Sequence, residues 1–257
     1  MGKIRIISLI FFAASFCLGQ EISADEVMER VYSIQRPNTS IMEIKLEITR
    51  TKRNKEKIKV REFTRYEKYY DAGQYRSKSL ARFITPKIVK GTGLLSWVQK
   101  NGQTEQWFFL PKLKTAKKVK AKQRSRSFLN TDFIYEDLES RKPGLDSLVT
   151  IGTEFIDGQQ CKIIMAWPKN ESSYFSRKLW VSVQDWKIRK VEYYENESEK
   201  EKTLTLTDFI ESNGFTTAGK MVMDRGDGNK TVMQISSFKP DIGLNEEIFS
   251  KSFLVKI

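Results

Sequence analysis

GTGLLSWVQKNGQTEQWFFL, residues 91–110, reads as two strands folded back on one another. Asn101-Gly102 is the strongest short-range hairpin signal in the chain, and the flanks, Gly91 to Gln99 and Thr104 to Leu110, carry Trp97, Trp107, Phe108 and Phe109. Working outward, the same grammar repeats. Met42, Ile44, Leu46 and Ile48 alternate with polar neighbours, the pattern of a strand with one buried face. Further strands are expected near Ile58 to Tyr70 and Tyr75 to Ile84, then at Leu148 to Ile156 and Gln160 to Trp167 around a turn at Asp157-Gly158. Beyond them follow Tyr174 to Val183, Lys187 to Tyr194, Thr203 to Ile210, Phe215 to Asp224 and Lys230 to Phe238. The connections are too short for crossover helices, so the sheet is antiparallel, and about ten strands in one sheet must curl, close or stack.

Helices are few in this reading. Ser23 and Glu26 form a capping box for a helix from Ala24 to Gln35, ended by Pro37. Shorter helices are expected near Asp132 to Arg141 and near Glu246. The fold class is therefore mainly β, a strongly curved antiparallel sheet covering a few helices or a cavity, with a fully closed barrel the alternative that spacing alone leaves open. A hydrophobic content of 39% across 257 residues suffices for one core.

Ahead of this globule, Lys3 and Arg5 precede an apolar run from Ile6 to Leu18, the layout of a secretory signal over residues 1–19, leaving 20–257 as a single domain. Cys17 reads as part of the apolar run, with lipidation the alternative that the bulky Phe16 disfavours. The formal net charge is +13, and loss of Lys3 and Arg5 leaves +11. An exported, strongly basic chain favours anionic membrane surfaces over nucleic acid. Only Cys161 then remains, so no internal disulfide forms, and it reads as a small hydrophobe beside Ile163 and Met165.

The inventory excludes most catalytic machinery. There is no histidine, hence neither the commonest general base nor the usual metal ligand. No nucleophile elbow, phosphate loop or metal cluster is present in the pattern, and Glu136-Asp137 reads as helix-start acids rather than a carboxylate pair. The expectation is a binding protein without metal or cofactor. Two features remain for binding. Lys118, Lys120, Lys122, Arg124 and Arg126 would share one face of a strand, either a solvated edge or a contact with anionic headgroups. This ribbon then runs into QRSRSFLNTDFIYEDL, residues 123–138, where an aromatic and acidic knot replaces it.

Four segments carry a resemblance: FITPKIVKGTGLLSW (83–97), QWFFLPKLKTAKKV (106–119), SFLNTDFIYEDL (127–138) and SRKLWVSVQDWKIRKVEYYE (176–195). In this order and spacing they resemble the LolA-like outer-membrane lipoprotein-sorting family, except that Asn130-Thr131 stands where a small Gly-Ser pair is expected. The resemblance implies an incomplete barrel enclosing an apolar cavity that carries lipoprotein or lipid acyl chains across the periplasm. Leu95, Trp97, Trp107, Phe109, Phe133 and Trp180 are the expected cavity residues, and an inner-membrane transporter an expected partner. A basic adaptor acting through its surface and a lipoprotein sensor are the rival readings.

Overall fold

The computed structural model describes residues 22–120, 123–139, 141 and 143–256. The expected signal segment, Cys17 and Lys122 lie outside the described residues. Helix α1 (Ala24–Ser33) opens the described chain on the expected capping box: the Glu26 amide donates to Ser23 Oγ, and the Ser23 amide donates back to Glu26 Oε2 at 2.9 Å. It stops two residues before Gln35 because Ile34 is already extended and Arg36 precedes a proline, which disfavours helix.

The strands follow as β1 (Thr39–Lys52), β2 (Lys55–Tyr69), β3 (Tyr75–Thr85), β4 (Gly93–Gln99), β5 (Thr104–Leu110) and β6 (Thr115–Lys118). After a long excursion come β7 (Asp146–Ile156), β8 (Gln159–Pro168), β9 (Ser176–Ser182), β10 (Ile188–Tyr194) and β11 (Lys200–Thr207). A small hairpin, β12 (Ile210–Ser212) and β13 (Phe215–Thr217), precedes β14 (Lys220–Asp224) and β15 (Lys230–Pro240); α2 (Lys251–Val255) closes the series. Thirteen strands form one antiparallel sheet in the order β6-β5-β4-β3-β2-β1-β15-β14-β11-β10-β9-β8-β7. The sheet stays open, with β6 and β7 at its edges. Neighbours follow one another along the chain apart from the β12–β13 hairpin inserted between β11 and β14, and one long-range seam joins the two halves, where β1 pairs with β15, Ser40 opposite Pro240.

The central hairpin of β4 and β5 forms, but only Gly102 of its turn adopts the left-handed conformation, at φ +93°. Asn101 serves instead through its side chain, accepting from the Gln103 amide at 2.9 Å. The strand expected over Phe215 to Asp224 is split at Gly219, where a side chain would stand 2.1 Å from the Asp208 carbonyl oxygen. The basic ribbon departs further from expectation. Strand β6 ends at Lys118, and residues 123–126 turn back on themselves through the Arg126 amide to the Gln123 carbonyl at 3.0 Å. The chain leaves the sheet edge here, so Lys118, Lys120, Arg124 and Arg126 do not share a strand face. The helix expected near Asp132 to Arg141 shrinks to a single 3₁₀ turn, Glu136–Leu138.

Alternation gives the sheet two faces. On the inner face, Ile44, Leu46, Phe63, Phe83 and Leu94 pack beneath Phe128, and Ile164, Leu179, Val181 and Val191 pack beneath α1 and Phe133. On the outer face, Leu80, Leu95, Trp107 and Phe109 are covered by the C-terminal segment through Phe249 and Leu254.

Candidate ligand site on the inner face

The aromatic and acidic knot is a plug pinned to the inner face. Leu129 and Asn130 both take left-handed backbone, at φ +50° and +58°, where Gly-Ser was expected one residue later. Thr131 Oγ1 reaches the Phe128 carbonyl at 2.6 Å, and the Phe128 amide donates to the Phe133 carbonyl at 2.8 Å, which folds the corner tightly. Phe128 then sits among Phe83, Phe108 and Tyr135 at 5.5 to 6.4 Å between ring centres. Polar pins hold the acids. Arg50 Nη1 donates to Asp132 Oδ2 at 2.8 Å, and Thr231 Oγ1 donates to the same oxygen at 2.7 Å. Lys202, whose side chain is wholly buried, donates from Nζ to Asp137 Oδ2 at 2.7 Å and to the Asp132 carbonyl at 3.0 Å. Buried charges of this kind persist only when paired and hydrogen-bonded.

Glu136 is held from the neighbouring loop, accepting from Ser172 Oγ at 2.6 Å and from the Ser173 amide at 2.7 Å. Burial acts to raise this carboxyl, but the bonds from Ser172 and Ser173 and the charge of Arg124 outweigh it and leave it below the ordinary value. A carboxyl lowered in the folded state contributes stability that is present above its unfolded value, about 4.3, and is lost as the pH falls through the lowered folded value. Glu136→Gln is therefore expected to flatten the loss of thermal stability below about pH 4.3, as followed by melting temperature against pH.

Among the described residues, wider and more polar hollows open at Ser127 and Asn130 and at Arg124 and Glu139, while two mainly apolar cavities lie beside the plug. One, of about 40 Å³, lies beneath Phe128, Phe133 and Leu138 against Ile44, Leu46, Phe63, Leu94 and Met233, with Arg65 at its side. That is space for a water or so, not for an alkyl tail. The larger, about 280 Å³, lies between α1 and β7 to β11, lined by Met28, Val31, Leu148, Ile188, Leu204 and Leu206, with Arg36, Arg141 and Arg177 and the carboxylates of Glu136, Asp137, Glu139 and Asp146 along its side. It approaches the roughly 300–1,000 Å³ of ordinary small-molecule sites. Only Ala24, Val27 and Met28 of α1 are buried, so a light roof covers it.

Of the six expected cavity residues, Phe133 alone lines either space. Leu95, Trp97, Trp107 and Phe109 occupy the outer face beneath the C-terminal segment, where Trp97 Nε1 donates to the Phe249 carbonyl at 2.9 Å. Trp180 lies on the side of its strand opposite Leu179 and Val181, with Lys190 4.0 Å and Lys178 4.8 Å from its ring and its Nε1 donating to Glu154 at 2.6 Å. Period-two alternation makes the correction simple: the neighbours Leu94 and Leu179 line the cavities, and bulky aromatics alone do not say which face is hollow. The cleft residues carried a usable signal, for Lys202, Leu204 and Leu206 share one side of β11.

The basic residues scatter. Lys118 is exposed, pairs with Glu105 and lies 5.6 Å from the Trp107 ring centre. Lys120 and Arg126 are exposed, whereas Arg124 is turned inward in a two-pronged pair with Glu139 at 2.6 and 2.9 Å. Glu136 and Asp137 are likewise occupied by their anchoring bonds, and no cluster of three or more metal-ligating side chains occurs among the described residues. Cys161 is a buried free thiol. No helix among the described residues is long and apolar enough to cross a membrane.

This architecture has solved counterparts. A domain from Vibrio parahaemolyticus described as an outer membrane lipoprotein-sorting protein domain superposes with a TM-score of 0.83 at 24% identity, covering 91% of this chain and 98% of that one. A DUF1329 family protein from Desulfovibrio piger gives 0.82 at 24% identity, over 90% of this chain and 97% of that one. A LolA superfamily protein from Nitrosomonas europaea gives 0.68 at 18% identity, over 90% and 99%. No curated protein matches the sequence. Residues 75–256, most of the chain, match the model of a family described as "Uncharacterized protein". The chain belongs to that family, and its open antiparallel sheet with a plugged inner face is the LolA-like fold.

Proposed function

We propose that this protein is a periplasmic binder of acyl chains that moves lipids or lipoproteins toward the outer membrane, taking the chain into the cleft beneath α1 without a cofactor. The observation that carries this reading is the cleft itself, a space of about 280 Å³ with an apolar floor and a charged side, roofed by one lightly buried helix. An acyl chain of about sixteen carbons gains roughly 12 kcal/mol on leaving water, so transfer requires a protein interior nearly as apolar as a bilayer. Release then needs only a small difference in affinity between donor, carrier and acceptor. Lifting α1 would lengthen the cleft at the cost of three buried side chains, Ala24, Val27 and Met28. The lysines Lys112, Lys114, Lys117, Lys118 and Lys120 are exposed beside Leu113, and this basic strip is the surface that would meet anionic headgroups of the acceptor membrane, or of a membrane bearing a partner transporter.

Lipid extraction and native mass spectrometry of protein purified from envelope membranes is expected to recover bound acyl chains. Leu204→Trp, which fills the cleft, is expected to weaken uptake of a fluorescent fatty acid about tenfold or more. A lipid-free protein that takes up no fatty acid removes the carrier reading. Reversal of Lys118 and Lys120 that abolishes partner binding while uptake persists would favour the surface adaptor instead.

A further inference from the structure

The cleft beneath α1 is greasy at its floor and ringed by guanidinium groups at its side, and the two halves together define an amphiphile. Arg36, Arg141 and Arg177 all line it. The acids around them are already committed. Asp137 is bound to Lys202 at 2.7 Å and Glu139 to Arg124 at 2.6 Å. Glu136 is occupied by Ser172 and Ser173, with Arg141 3.7 Å away, and Asp146 receives both Arg141 at 2.6 Å and Arg177 at 2.5 Å. Arg76 adds another cation behind them, donating to the Arg141 carbonyl at 2.9 Å. With Glu67, which is paired to Arg65 at 3.0 Å beside Tyr69, seven cations face five carboxylates, and the excess sits at Arg36 and Arg76.

Two further observations point to a ligand. The side chain of Arg177 is 9% exposed, and its Nε is buried without a hydrogen-bond partner although the group lines the cleft. A buried guanidinium with an unused donor is costly unless an acceptor joins it. Arg36 lies over the Tyr69 ring, 5.4 Å from its centre, a cation–π contact that leaves its hydrogen-bond donors available.

We propose that the cleft selects acyl chains that end in an anionic headgroup, a carboxylate or a phosphate, with the charge held between Arg36 and Arg177 and the hydrocarbon running along Leu148, Ile188, Leu204 and Leu206. Guanidinium pairs suit the planar, two-oxygen face of either anion, and within an apolar cleft such charge-assisted bonds are stronger than neutral ones. This rests on the acyl-chain reading above and narrows it from acyl chains in general to acidic amphiphiles.

The test titrates the delipidated protein with palmitate, with palmitoyl lysophosphatidate and with hexadecanol, which shares the chain length but carries no charge. At least one anion is expected to bind about tenfold tighter than hexadecanol, and tighter palmitate or tighter lysophosphatidate names the source of the headgroup. Arg36→Gln, in the half-buried segment after α1, is expected to bring the anion-to-hexadecanol affinity ratio down to about one, and Arg177→Lys to reduce it with retention of charge. Should Arg177→Lys fail to fold, Arg36→Gln decides alone. Equal affinity for all three ligands, or a preference untouched by Arg36→Gln, overturns the headgroup site and leaves acyl binding standing. Failure to bind even hexadecanol overturns the acyl reading beneath it.

Discussion

Lys202→Met is expected to lower the stability of the fold by about 3–5 kcal/mol, read from the shift in urea midpoint at unchanged slope. The ammonium is completely buried and bridges Asp137 Oδ2 to the Asp132 carbonyl, so its loss strands a carboxylate that is itself only 2% exposed. Two donors survive around that carboxylate, the Ile134 amide at 2.8 Å and the Tyr174 hydroxyl at 2.6 Å, which places the cost toward the lower end of the range. Adding Asp137→Asn to Lys202→Met removes the orphaned charge and is expected to recover part of the loss. A deficit under about 1 kcal/mol in the single variant would mean that the plug is not pinned through this pair. Because single-domain stabilities are typically about 5–15 kcal/mol, this change removes a large fraction of the reserve.

Phe109→Ala is expected to cost a comparable 3–5 kcal/mol or so, the usual range for deleting a buried aromatic ring. Its distinguishing feature is what should not change. The ring is 1% exposed on the outer face, in the cluster closed by Phe249 and Leu254, so fatty-acid uptake per folded molecule is expected to match the unaltered protein. Leu204→Trp should do the reverse, blocking uptake with a smaller effect on stability. Measured together by chemical denaturation and ligand titration, the pair separates the packed face from the hollow one. Equal loss of uptake in both variants would show that the two faces do not act independently.

The contrast explains what was legible in the residues. Strand positions, the capping box at Ser23 and Glu26, and antiparallel order were readable because they depend on local spacing and on chain punctuation such as Asp157-Gly158. Curvature of the sheet followed from strand number and short connections, and its staying open followed from the resemblance carried by the four segments. Which face is hollow was not readable in the same way, since Leu94 and Leu95 are both buried and both apolar, and only the long-range placement of α1, the plug and the C-terminal segment distinguishes them. The ribbon of basic residues misled for a related reason. Alternation of Lys118, Lys120 and Arg124 suggests a strand, but the carboxylate that pairs with Arg124, Glu139, lies fifteen positions beyond it and gives no local signal. The arginines of the cleft went unread because they come from separate places: the segment after α1, the excursion before β7, and β9.

The long-range seam between β1 and β15 divides the assembly of this sheet in time. Residues 39–118 can build one serial meander and residues 146–240 another, from locally paired strands with the β12–β13 hairpin looped out between β11 and β14. Strand β1, made first, must leave one side of its backbone unmatched until the last strand emerges nearly two hundred residues later, with Thr49 waiting for Lys230. Closure of that gap is the slow, high-contact-order event in folding, and it is also the step that brings Ile44 and Leu46 alongside Ile235 to complete the floor under the plug. A chain cut short before β15 would therefore present two half-sheets with open margins rather than a smaller version of the same vessel.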